Sequence, residues 1–289
     1  MPRLGILLAP LLLCSCSVYQ AKPMRILLVG YGWYDGIPAG QINNAEMVAR
    51  SLHGAAIRPK GSSAAGEVYS IVVPVTWAGA MPPVYDAIRT LKPDIVVGLG
   101  TAPGAPGIRP EPCGANWSSG EDADPKDPAR EVCRNEPIEP GGPPYRCGSL
   151  PYLEIVRSMS KAGIPAYMGR STDPAEPEGC KDPASKDPQP TATTGWYLCN
   201  WMTYLLPKYV EENRLDADVG FIHIPTRPEY AAKDPKDPDW SAEASTRTAA
   251  LVERPPAASL SFDQTLRGIR TALEECVRAR AQERPPHDL

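Results

Sequence analysis

Short apolar runs alternate with amphipathic stretches along most of the chain, and the runs end at glycine, proline or polar turns. Residues 24–30, Met-Arg-Ile-Leu-Leu-Val-Gly, are too short for a helix and close on a glycine, which predicts a strand buried on both faces. Residues 45–53 carry a helical period behind Asn43 or Asn44 as the cap. Residues 68–75 predict a second strand, and 82–91 a helix whose prolines sit at its start, where a missing N–H costs little. A third strand at 95–98 opens into a Gly/Pro loop ending at Gly107. From 111 to 150 no period is visible, and irregular structure is expected. Helical pattern returns at 152–162, followed by a short strand at 165–168 and a Pro-rich surface insertion at 171–191. A helix at 196–210, a strand at 219–224 and a long final helix at 261–282 complete the series. Strands alternating with helices predict an α/β fold: one three-layer α/β/α domain with a mostly parallel, twisted central sheet and Pro-rich loop insertions.

The first residues fall outside this pattern. Arg3 precedes an apolar run from Leu4 to Leu13, and Leu13-Cys14-Ser15-Cys16 follows. The arrangement resembles a bacterial lipoprotein signal, in which the cysteine after the small residues is lipidated. The expected organisation is a signal peptide at 1–15, a short tether at 16–23 beginning with lipidated Cys16, the α/β domain at 24–282 and a tail at 283–289. An ordinary signal peptide cut near Ala21 is the alternative. Either way the domain is expected to be exported to the periplasmic face of a bacterial membrane, and in the lipoprotein reading it is held there by its lipid. No other stretch is apolar enough to cross a bilayer.

Composition narrows the classes. Thirty Lys and Arg against 34 Asp and Glu, scattered along 289 residues, leave a net charge of −4. That argues against nucleic acid as a partner, since phosphate neutralisation needs a basic stripe. Thirty-five prolines against two phenylalanines imply many rigid loops. The repeated Lys-Asp-Pro at Lys126, Lys181, Lys186, Lys233 and Lys236 reads as solvated turn sequence. Export also changes the cysteine reading. Cys113, Cys133, Cys147 and Cys180 lie in loop-like sequence, where an oxidising compartment would form two disulfides; three pairings are open. There is no Cys-x-x-Cys spacing to suggest zinc.

Ligands of parallel α/β sheets bind beyond the carboxyl ends of the strands. The residues there are Tyr31, Trp33 and Tyr34, then the loop leading to Arg109 and Glu111, then His223. Cys199 falls near a helix start, behind Thr193 or Thr194 as the expected cap, where unpaired N–H groups and the helix dipole favour thiolate. An imidazole can take the thiol proton and a carboxylate can orient the imidazole, so Cys199, His223 and Glu111 form a candidate triad. Taken one at a time these residues are ordinary. A free cysteine is usually core, a histidine on an apolar strand is usually a satisfied buried group, and Glu111 is a loop charge. His53 ends a helix pattern and His287 lies in the tail, so neither competes. Residues alone thus reach an α/β protein with a candidate Cys/His hydrolase site.

Three motifs carry a more specific reading. Thr194-Gly195-Trp196-Tyr197-Leu198-Cys199-Asn200 resembles the cysteine motif of the pyroglutamyl peptidase (pyrrolidone-carboxylate peptidase) family. Gly220-Phe221-Ile222-His223-Ile224-Pro225 resembles its histidine motif. Ala102-Pro103-Gly104, Ile108, Glu111 and Asn116 keep the spacing around its glutamate. Gly30-Tyr31-Gly32-Trp33-Tyr34 is similar to its first glycine-aromatic loop, and the likeness runs from about residue 25 to 280.

The resemblance implies a cysteine peptidase that hydrolyses the amide bond after an N-terminal pyroglutamate through a thioester. Cys199 is then the nucleophile, His223 the base and acid, and Glu111 the group that orients it. Tyr31 and Tyr34 stand where paired aromatic rings flank the lactam, and Asn43 joins them as a binding residue. No metal or cofactor is implied. The partners implied are peptides or proteins capped by pyroglutamate and the membrane through the lipid; a homo-oligomer is left open. The alternatives are a silent lipoprotein that binds capped peptides, or an amidohydrolase acting on another small lactam or acyl group. The chain departs from the family pattern at Ala105, which stands where an arginine is usual, and Arg109 is the candidate replacement. Pro110 and Pro112 are expected to keep Glu111 out of strand pairing. Insertions at 119–147, 171–191 and 231–245 would narrow or cover the cleft.

Overall fold

The computed structural model describes residues 22–34, 37, 40–103, 105–120, 134–168, 195–227 and 260–283. The signal-like segment with Cys16, the Lys-Asp-Pro repeats, the insertions at 171–191 and 231–245, and the tail residues 284–289 lie outside them. Ten strands and five helices follow in the order β1 (Met24–Tyr31), α1 (Asn44–Leu52), β2 (Ala56–Ile57), β3 (Gly66–Val73), α2 (Met81–Leu91), β4 (Ile95–Ala102), β5 (Arg109–Glu111), β6 (Cys113–Ala115), β7 (Ser118–Gly120), β8 (Arg134–Glu136), β9 (Tyr145–Cys147), α3 (Tyr152–Lys161), α4 (Leu198–Glu212), β10 (Asp218–Pro225) and α5 (Phe262–Glu283) among the described residues. Six strands form the main sheet in the order β2-β3-β1-β4-β10-β5. Its four central strands are parallel, while β2 and β5 run antiparallel at the two edges.

The apolar runs serve two layers at once, because successive side chains of a strand point to opposite faces. Ile26, Leu28, Val97, Leu99, Ile222 and Ile224 are buried with the apolar faces of α1, α3 and α5. Their sequence neighbours Leu27, Val29, Val96, Val219 and Phe221 are buried with α2 and α4. This double burial explains why the strands read as continuous apolar runs.

Several expectations need correction. The stretch from 111 to 150 is not simply irregular: β6 pairs with β9 and β7 with β8, forming two short ribbons. These three-residue strands are too short to show a period. β4 runs on to Ala102 instead of stopping at Gly98, and β1 runs one residue past Gly30. The expected strand at 165–168 is a single bridge between Ile108 and Ala166. Glu111 does pair: β5 lies against β10 with Glu111 opposite Phe221 and Pro110 opposite Ile222. An edge strand accepts proline because it has a ladder to complete on one side only.

Cys113 and Cys147 are directly opposed in the β6–β9 ribbon and form a disulfide. Closing a loop with a sequence separation of 34 restricts the unfolded chain, an effect worth about 4 kcal/mol in the loop-entropy account. Cys133 and Cys180 lie outside the described residues.

Candidate active site

The carboxyl ends of the parallel strands converge on one rim, and buried amides tie that rim together. Asn43 caps α1: its Oδ1 accepts from the Ala45 N–H at 3.1 Å and from the Thr101 hydroxyl at 2.5 Å, while its Nδ2 donates to the Gly32 carbonyl at 2.7 Å. Asn44 donates to the Pro225 carbonyl at 2.8 Å. The ends of β1, β4 and β10 are thereby fixed to one helix start. Asn43 thus serves as the joint of the rim, with its amide engaged by protein groups.

Cys199 is the second residue of α4. The helix cap is Tyr197, whose own side chain makes no cap bond; Thr193 and Thr194 lie outside the described residues. Gly195, at φ +79, makes the left-handed turn into this helix, a conformation glycine enters without a Cβ penalty. Two glycines of β4 then let α4 lie close to the sheet. A Cβ at Gly98 would come within 2.6 Å of Met202 Sδ, and one at Gly100 within 2.6 Å of Cys199 Sγ. The sulfur therefore sits directly above Gly100. The register partner of Gly100 on the neighbouring strand is His223.

His223 is 5% exposed and Glu111 fully buried. They are a diagonal cross-strand pair on one face of β10 and β5, a separation that long side chains can bridge. His223 Nδ1 lies 2.8 Å from Glu111 Oε1. Burial alone would lower the imidazole pKa, but the charge and hydrogen bond of Cys199, together with those of Glu111, raise it to about 9. Since Nδ1 faces the carboxylate, Nε2 is the nitrogen left to serve the sulfur. Glu111 Oε1 also receives Arg109 Nε at 2.5 Å, and Arg109 Nη2 lies 3.3 Å from His223 Nδ1. Glu111 Oε2 has no hydrogen-bond partner among the described residues.

Arg109 thus lies against the carboxylate–imidazole pair. Ala105 is buried, and the position is apolar. Tyr31 is 2% exposed and donates its hydroxyl to the Leu198 carbonyl at 2.6 Å, which makes it a fixed wall behind the helix start. Tyr34 is half-buried and packs in the same apolar layer as Cys199 and Tyr197. Burial, and then the charge of Cys199, push both phenols up, placing both rings in the field of the sulfur. The described part of the 119–147 insertion packs against the start of α4: Ser119 N–H donates to the Trp196 carbonyl at 2.8 Å. Arg134 lies 4.5 Å above the Trp201 ring, and Trp77 meets Tyr197 and Trp201 edge-on.

Asn200 emerges as a residue the spacing argument left without a role. It is fully buried, and its amide accepts from Ala115 N–H at 2.8 Å and donates to the carbonyls of Ala115 at 2.9 Å and Trp117 at 2.7 Å. It fastens the segment following Glu111 to the helix that carries Cys199. Its place directly after the cysteine was the available signal.

A cysteine at a helix start, over a glycine, next to a buried imidazole held by a buried carboxylate, is the constellation of a cysteine hydrolase. A family model described as pyroglutamyl peptidase matches residues 24–173 and 188–279. The chain belongs to the pyroglutamyl peptidase family. It is 29% identical over 206 residues to a pyrrolidone-carboxylate peptidase of Pyrococcus furiosus, covering 71% of this chain and 83% of that one. It is 26% identical over 251 residues to one from Saccharolobus islandicus, covering 87% and 94%. Among solved structures, a mutant pyrrolidone carboxyl peptidase from Pyrococcus furiosus superposes with a TM-score of 0.61 at 25% identity, covering 89% of this chain and 100% of that one. Bacillus amyloliquefaciens pyroglutamyl peptidase I shares the fold, with a TM-score of 0.62 at 21% identity, covering 89% and 98%.

Proposed function

We propose that this protein removes an N-terminal pyroglutamate from peptides, with Cys199 as nucleophile. The observation that carries the reading is one buried imidazole, His223, engaged both by the Glu111 carboxylate at Nδ1 and by Cys199. Sγ attacks the carbonyl carbon of the pyroglutamyl amide, and the developing oxyanion faces the N–H groups at the start of α4. The imidazolium of His223 gives its Nε2 proton to the departing amine as the C–N bond breaks, leaving a thioester. Water then attacks the thioester while His223 takes its proton; the C–S bond breaks, pyroglutamate leaves, and the thiolate–imidazolium pair is restored. Glu111 keeps Nδ1 protonated throughout. Tyr34, with Tyr31 behind it, supplies the aromatic surface for the flat lactam ring.

The proposed setting is outside the cytoplasm, anchored by lipid at Cys16. The signal-like segment supports this, and so does the Cys113–Cys147 pair, a bond typical of oxidising compartments.

The test uses the domain from Lys22 onward with its disulfide formed, offered pyroglutamyl, prolyl and glutamyl fluorophores. Release from the pyroglutamyl compound alone is the expected result. Binding without release would mean a silent receptor, and release from a different acyl compound a different amidohydrolase; either would overturn the reading. The pH profile adds a second check. His223 must carry a proton when the amine leaves, so kcat/KM falls as pH rises through about 9. Glu111→Gln removes a carboxylate that raises this value, and moves the alkaline limb downward. The same shift is a stability term: a raised folded pKa stabilises the fold fully below the ordinary value of about 6.5. That contribution fades as pH rises through about 9.

A further inference from the structure

We propose that Arg109 is a positioning residue that competes with His223 for Glu111 Oε1 and thereby sets the tautomer and proton affinity of the imidazole. This rests on the triad reading above. One carboxylate oxygen serves two donors: Arg109 Nε at 2.5 Å and His223 Nδ1 at 2.8 Å. The other oxygen, Oε2, has no hydrogen-bond partner among the described residues, so the guanidinium does not make the two-oxygen fork by which arginine usually holds a carboxylate. Instead its second nitrogen, Nη2, reaches to 3.3 Å from His223 Nδ1.

The register makes this arrangement specific. Arg109 is the direct cross-strand partner of His223, and Glu111 lies two residues along the same face of β5. Guanidinium, carboxylate and imidazole are consequently held side by side by the sheet.

Arginine only donates hydrogen bonds. When Nη2 donates to Nδ1, the neutral ring must carry its proton on Nε2 and cannot accept the Cys199 proton. When Nδ1–H donates to Glu111, Nε2 is open to the sulfur. Arg109 thus favours the idle tautomer and Glu111 the working one. A positive charge beside the ring also opposes imidazolium.

Among the described residues, the other groups named against the ring and its partners bring no positive charge. From α4 comes Cys199, and from β4 the neutral Gly100. The phenols of Tyr31 and Tyr34 interact with Cys199, and that of Tyr152 on α3 with Glu111. Arg109 is the cation held against Nδ1.

The readout is the imidazole itself, followed by nitrogen NMR across a pH titration; the chain has three histidines, so its signals are easily assigned. The titration is run in the Cys199→Ala background, with Arg109, Arg109→Gln and Arg109→Lys compared. Arg109→Gln is expected to raise the pKa of His223 by about one unit or more and to increase the Nδ1–H tautomer. Arg109→Lys, which keeps the charge but not the second nitrogen that reaches Nδ1, is expected to restore the pKa and not the tautomer ratio. An unchanged pKa and tautomer in Arg109→Gln would overturn the proposal. So would a fall in pKa, which would mean that Arg109 acts by keeping Glu111 ionised. Because the signal does not depend on turnover, it fails or succeeds separately from the peptidase reading, which the fluorophore assay tests alone.

Discussion

Cys199→Ala lowers turnover of a pyroglutamyl fluorophore by about 10⁴-fold or more, while the folded domain keeps its circular dichroism and its thermal midpoint to within a few degrees. The reasoning is local. Sγ is the only atom the substitution removes, and Cys199 is partly exposed, so little packing goes with it. The sulfur sits over Gly100, beside His223, and among the described residues no second thiol is at hand: Cys276 is buried on the opposite side of the sheet, and Cys113 and Cys147 are bonded to each other. His223→Ala should cost about as much, and the double substitution little more, because groups that act as one unit lose their effect together. Residual turnover above about one part in a hundred in Cys199→Ala would mean that another group attacks the amide.

Asn200→Ala is expected to destabilise the domain by about 3 kcal/mol, because it strands buried groups that the amide now satisfies. Those groups are the Ala115 N–H and the carbonyls of Ala115 and Trp117. The loss is not confined to stability. The segment those bonds hold begins two residues after Glu111, so loosening it widens the range of positions open to the carboxylate. Turnover should fall with KM little changed, since Asn200 is fully buried and does not reach substrate. Urea unfolding of wild type and Asn200→Ala decides the point. A difference below about 1 kcal/mol would mean that water replaces the amide without strain.

Several elements were readable from local pattern alone. The runs at β1 and β10 announce themselves because both faces of these parallel strands are dry over most of their length. Asn43 declared the start of α1, since a side chain that can accept from the first N–H groups is wanted there. Other elements were not readable, for identifiable reasons. β5 looked unfit for pairing because local rules penalise Pro110 and Pro112. Its place at the edge of the sheet, against β10, outweighs them. Gly98 looked like a strand end, but it is a flat spot under α4, and a strand can carry such a spot without stopping. The disulfide could be counted but not assigned, since only the β6–β9 register brings Cys113 opposite Cys147.

By itself the sequence determined the layered α/β class, the order of the major elements, and, through three motifs, Cys199, His223 and Glu111 as the candidate triad. Each of those is a property of short segments: what they do with water, where a helix begins, which residues stand together. Only the tertiary structure decided how the three meet and what constrains them. His223 and Glu111 are 112 residues apart along the chain and 2.8 Å apart in space. That closeness comes from β5 folding back as an antiparallel edge on β10, a choice local periodicity does not record. The same step sets Arg109 against the histidine and, through Asn200, binds the glutamate's segment to the helix of Cys199. Side-chain chemistry is written residue by residue, whereas the sharing of one carboxylate oxygen between two donors exists only once strand register has brought them to the same place.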